Sequence, residues 1–111
     1  MKNYVFDIDG TICTNTDGKY ELAKPLMDRI RIINNLYEKG NQISFLTARG
    51  MGRFNNNSAM AIKEFYNFTK EQLDGWGVKY HALFLGKPQG DIYIDDKGVN
   101  DIDFFEIRSF E

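Results

Sequence analysis

The sequence predicts an α/β fold: a doubly wound, three-layer sandwich on a mainly parallel five-stranded sheet, with residues 1–111 in one domain. Three observations carry that prediction. Apolar runs rich in β-branched and aromatic residues alternate with stretches of helical periodicity, the order expected of strands joined by right-handed crossovers. A chain of 111 residues, 42% hydrophobic and with nine Phe and six Tyr, fills one core and leaves no room for a second folding unit. No internal repeat, low-complexity tract or linker interrupts the pattern.

The elements follow in order. Tyr4-Val5-Phe6 leads into Asp7-Ile8-Asp9 and then Gly10-Thr11, a strand that stops in a turn. Cys13 to Glu21 is polar, and Asp17-Gly18 favours a tight turn, so a small flap over the end of the first strand is expected. From Pro25 to Lys39, Leu26, Met27, Ile30, Ile33, Leu36 and Tyr37 recur at spacings of three and four, and Gly40 stops the helix. Ile43 to Leu46 is the second strand. It ends in Thr47-Ala48-Arg49-Gly50, and a loop continues through Arg53 and asparagines 55 to 57. Ser58 is the expected N-cap of a helix to about Asp74, with Ala61, Ile62, Phe65, Phe68 and Leu73 inward. Val78 to Leu85 reads as a third strand, Asp91 to Asp96 as a fourth and Phe104 to Phe110 as a fifth.

Composition excludes several classes of function. A net charge of −2 without a Lys/Arg cluster argues against nucleic acid as a partner. No apolar stretch approaches the eighteen or so residues of a membrane span, so no membrane is expected. The single cysteine, Cys13, cannot form an internal disulfide, and a reducing cytoplasm is the default location. It reads as a buried structural thiol.

In a parallel sheet, ligands bind beyond the carboxyl ends of the strands. Asp7, Asp9, Thr47, Asp95 and Asp96 all fall at such ends. Asp7 and Asp9 start on one side of their strand because side chains alternate with period 2. Two carboxylates about 4 Å apart repel by roughly 4 kcal/mol at an effective dielectric of 20. They therefore require a cation, a shared proton or an open solvated loop. Two acid pairs converging from two strand ends call for a hard divalent cation, and Mg2+ fits because it takes oxygen ligands and commonly bridges carboxylates to a phosphate. One histidine, His81, and one cysteine argue against zinc. A calcium loop that began at Asp7 would need Gly and Glu where Ile12 and Gly18 stand. Lys87 adds a positive charge, and Thr47 offers a hydroxyl and an N–H to an oxyanion. Together these groups describe a site for a small phosphorylated substrate that carries its own metal.

The run DIDGT at 7 to 11, the apolar strand ending in Thr47, Lys87 and the IDD at 94 to 96 resemble the four ordered motifs of the haloacid-dehalogenase-like (HAD) phosphohydrolases. In detail the chain is most similar to small members associated with capsular-polysaccharide synthesis. The resemblance implies a Rossmann-like core in which Asp7 is the nucleophile and Asp9 the proton carrier. It gives magnesium to the Asp7 side chain and the Asp9 carbonyl with Asp95 or Asp96, the direct ligand of the two being left open. It places the phosphoryl group against Gly10, Thr47, Ala48 and Lys87. Arg49 and Arg53 either contact the anionic remainder of the substrate or are solvated. The family's cap domain has no room here, which implies an open pocket, and the resemblance also allows a homo-oligomer that covers it. A receiver-type phosphoacceptor domain also uses an acidic pocket, a Thr and a Lys, but the order of motifs is wrong for it. A catalytically silent phosphate-binding or scaffold protein on the same fold is the alternative that turnover separates.

Overall fold

The computed structural model describes residues 1–107. Three parallel strands, β1 (Asn3–Phe6), β2 (Gln42–Thr47) and β3 (Ala82–Leu85), form a sheet in the order β1-β2-β3. Helix α1 (Met27–Glu38) joins the first two and α2 (Ser58–Gly75) joins the second pair. Phe6 pairs in register with Phe45, and Phe45 with Leu83. These residues, with Ile43 and Leu85, project from one face into a core completed by Ile30, Ile33 and Leu36 of α1 and Leu73 of α2. Both helices therefore cover the same face, as two right-handed crossovers running in one direction across a sheet require.

This changes the expected architecture in two respects. The described residues contain three strands rather than five, and two layers rather than three. The uncovered face carries Val5, Ser44, Leu46, Ala82 and Phe84, with Val5 64% and Phe84 55% exposed. Residues 91–96, expected as a fourth strand, form no strand: the segment is irregular, bends at Asp91 and Asp96, and is exposed. The expected fifth strand is instead a π-helical turn at Asp103–Ile107, and its residues 108–110 lie outside the described residues. Phe104 and Phe105 from that turn pack edge-on and stacked against Phe6, at 5.5 and 5.9 Å between ring centroids. The ring contacts with Phe6 hold these residues on the core rather than in a ladder.

Local chemistry explains the connections. Asn55 and Asn56 take left-handed backbone conformations, φ 51° and 61°, which asparagine tolerates better than most residues. Asn57, not Ser58, caps α2, its side chain accepting from the Met60 N–H at 3.2 Å. Ile62 points outward, 43% exposed, where an inward position was expected. His81 is structural: its Nδ1 accepts from the Ile43 N–H at 3.0 Å and its ring stacks on Tyr37. Trp76 packs against the core.

Candidate functional site

Beyond the carboxyl ends of the three strands lies a cavity of about 780 Å³. Asp7 and Asp9 reach it from the end of β1, Thr47, Ala48, Arg49 and Arg53 from β2 and its loop, and Lys87 from beyond β3. The turn after Asp9 is closed by hydrogen bonds from Gly10 N–H to the Cys13 carbonyl and from Thr11 N–H to the Ile8 carbonyl, at 2.9 and 3.0 Å. Gly10, at φ +82°, makes that turn but is not among the residues lining the cavity.

Asp7 sits between one cation and one hydroxyl. Lys87 Nζ is 3.9 Å from Asp7 Oδ1, and Thr11 Oγ1 donates to Oδ2 at 3.4 Å. Burial raises the Asp7 carboxyl above its ordinary value, and the Lys87 ammonium is the largest influence pulling it back. Lys87 is itself held in place, its N–H donating to the Thr47 carbonyl at 3.2 Å and its ammonium lying 4.3 Å from the centre of the Tyr93 ring. Thr47 is buried, and its hydroxyl accepts from the Arg49 N–H at 3.2 Å.

Asp9 has a different partner. The Arg49 guanidinium forks onto it, Nε to Oδ2 at 2.9 Å and Nη2 to Oδ1 at 3.0 Å. The Arg49 side chain is 0% exposed, lies 4.8 Å from the centre of the Tyr20 ring and donates to Thr69 Oγ1 at 3.3 Å. Its charge is thus committed to Asp9, although its residue still lines the cavity wall. Arg53 donates to the Gly18 carbonyl at 3.4 Å and lies over the Phe65 ring.

Asp95 and Asp96 are not brought to this site. Both are exposed and absent from the cavity wall, and among the described residues no three His, Cys, Asp or Glu side chains come together as a metal site. Residues the sequence did not single out for the site complete the wall: Asn15, Asp17, Gly18 and Tyr20 from the segment expected as a flap, Gly52 from the loop after β2, and Gln89, Gly90 and Tyr93 beyond Lys87. The Asp17-Gly18 turn was the signal for the first group. Tyr20 braces the opposite loop, its hydroxyl accepting from the Gly50 N–H at 2.9 Å.

No protein-family model and no curated protein matches the chain. Two solved structures do. A Vibrio cholerae protein known from its crystal structure superposes with a TM-score of 0.88 at 28% identity, over 97% of this chain and 90% of its own. D,D-heptose 1.7-bisphosphate phosphatase from B. bronchiseptica, complexed with magnesium and phosphate, superposes with a TM-score of 0.55 at 20% identity, over 89% of this chain and 54% of its own. The chain thus shares the α/β fold of a known phosphatase, and the end of the sheet where its own acidic and basic side chains gather is the open cavity described above.

Proposed function

We propose that this chain is a magnesium-dependent phosphomonoester hydrolase of the haloacid-dehalogenase-like type, working in the cytoplasm through an aspartyl-phosphate on Asp7. The observation that carries the reading is the meeting of Asp7, Thr47 and Lys87, from three different strand ends, at one open cavity.

In the first step an Asp7 oxygen attacks phosphorus as the bond from phosphorus to the leaving oxygen breaks. Lys87 balances charge on Asp7 and on the group in transfer, and Thr47 with the Ala48 backbone holds the remaining phosphoryl oxygens. Asp9 gives its proton to the departing alkoxide. In the second step water attacks the phosphorus, Asp9 takes the proton, and inorganic phosphate leaves a free Asp7 carboxylate. Arg49 fixes Asp9 through both steps. Because the guanidinium engages both carboxylate oxygens, the proton travels on the lone pairs facing the cavity.

A sugar phosphate of surface-polysaccharide synthesis is the proposed substrate class. Tyr20 and Tyr93 give the cavity two aromatic walls and Asn15 and Gln89 two amides, groups suited to a sugar, and a heptose bisphosphate phosphatase shares the fold. Magnesium is supported by the metal in that enzyme and by the Asp7 carboxylate at the cavity. Its donors nevertheless do not come together within one chain. Asp7 faces the cavity, the Asp9 carboxylate is held by Arg49, and Asp95 and Asp96 lie elsewhere. The Asp9–Arg49 bridge also favours a second reading, a phosphate-binding protein without turnover.

One assay separates the two. Phosphate release from a panel of sugar phosphates and other phosphomonoesters, with magnesium and with chelator, is expected from the wild type and lost by at least about a thousandfold in Asp7→Asn, with thermal unfolding unchanged. No release from any substrate, with Asp7→Asn indistinguishable, would leave the phosphate-binding reading.

A further inference from the structure

Residues 91–96 present an unusual surface. Ile92 and Ile94 are 79% and 93% exposed, and with Tyr93 they form a continuous β-prone run held away from the core. An exposed run of this kind is a site for pairing with another chain. The sheet has two edge strands, β1 and β3, and of these β1 is the one whose carboxyl end runs straight into Asp7, so acids on an added strand come beside Asp7 only there. The Gln42 N–H donates to the Lys2 carbonyl, so the even-numbered residues turn their backbone groups to β2 and those of Asn3 and Val5 point outward. Neither has a partner among the described residues, and Val5 is among the more exposed apolar side chains.

The chain cannot make this pairing with itself in the parallel sense. Leu85 ends β3, and only Gly86 to Gly90 separate it from Asp91. A parallel connection needs about a dozen residues, because it must return to the opposite end of the sheet before the next strand begins. Here the chain has not begun to return: the Gln89 N–H donates to Asn56 Oδ1 at 2.9 Å, and Gly90 still lines the cavity at the carboxyl ends. At the far side Arg29 holds Asp101 at 2.7 Å and the Thr11 carbonyl at 2.9 Å, so the segment is tied at both ends above the sheet. Short connections of this sort favour exchange between copies.

We infer that residues 91–96 of a second copy add as a parallel strand to the outer edge of β1, and that the second copy's Asp95 and Asp96 complete the acidic site at Asp7. By two-fold symmetry each copy lends its segment to the other, so one contact builds two sites. With Asp95 aligned to Asp7, Tyr93 leaves its place over Lys87 in its own cavity and lies beside the other copy's Val5, and the Ile92 and Ile94 side chains extend the apolar row of Tyr4 and Phe6. The exchange explains why the acid pair that magnesium calls for is outside the site of its own chain. The metal part of this inference rests on the hydrolase reading above; the strand exchange does not.

Two arms test it on the full chain. In the first, Val5→Cys and Tyr93→Cys are made in separate chains, co-expressed and oxidised. A disulfide-linked pair containing one chain of each kind is expected; Cys13, buried, does not compete. No mixed disulfide, with a monomeric mass in solution, overturns the exchange. In the second, Asp7→Asn is co-expressed with the double variant Asp95→Asn, Asp96→Asn. Each alone is inactive, but a mixed pair has one intact site, so about a quarter of wild-type activity returns in a statistical mixture. No recovery despite the mixed disulfide means that the exchanged acids do not serve the site, which overturns that half. If the wild type itself releases no phosphate, the hydrolase reading has failed and the disulfide alone decides the exchange.

Discussion

Arg49 neutralises Asp9 from a position with no exposed side-chain surface, and it is also stacked on Tyr20 and bonded to Thr69. Removing one partner of a buried pair leaves the other uncompensated, which costs roughly 3–5 kcal/mol. Because Asp9 keeps some access to the cavity, Arg49→Ala is expected near the lower figure, measured as a shift in denaturant midpoint, and Asp9→Asn in the same chain should recover part of it. Cys13 gives a second test nearby. Burial, reinforced by the Asp9 charge, pushes its thiol up to about 12. The reactive thiolate is therefore scarce throughout the neutral and mildly alkaline range. Labelling by a thiol reagent at pH 9 should be negligible in the folded protein and rapid in denaturant; fast labelling of the native state would contradict the burial. At this scale Asp7, Thr47 and Lys87 were legible in the sequence because each ends or follows a strand. Arg49 was legible only as a neighbour of Thr47. Its partner is 40 positions away, and no local pattern announces a buried guanidinium.

The elements divide in the same way. The α-helices and strands between residues 3 and 85 follow from periodicity and turn chemistry, and each lies within a few residues of its expected place except β3, which starts four residues later than expected; the 3-10 turn at Tyr20–Leu22 was not expected. The loop before α2 depends on two small features. Asn57→Ala removes the cap and should cost about 1 kcal/mol in thermal or denaturant unfolding, whereas Ser58→Ala should cost little. Gly50 is constrained twice: its φ is +80°, and an added Cβ would meet the Phe65 ring at 2.6 Å. Gly50→Ala is expected to destabilise by more than the ~1 kcal/mol of the backbone term alone and to disturb the Tyr20 contact with the same loop. Residues 91–96 show why the last strands were not legible. Ile-Tyr-Ile between acids has strong β-propensity, but propensity describes fitness for a sheet surface and not the existence of a place in the sheet. The five residues after Leu85 decide that, since they are too few for a parallel return.

Among the described residues, a sheet covered by helices on one face and bounded by β1 and β3 presents its chemistry at an open cavity. No described helix is long and apolar enough to cross a membrane. The electrostatics are divided: Asp7 faces the Lys87 ammonium and the cavity, while Asp9 is forked by the buried Arg49 guanidinium, so two carboxylates two residues apart have different neighbours and different proposed tasks. The division into an attacker and a proton carrier is the central claim, and it is tested most directly by catching the covalent intermediate. Protein quenched in acid during turnover of a sugar phosphate with magnesium, then reduced with borohydride and mapped by mass spectrometry, should carry homoserine at position 7 in place of aspartate. Phosphate release with Asp7 unmodified, or with the mark on another carboxylate, would contradict it.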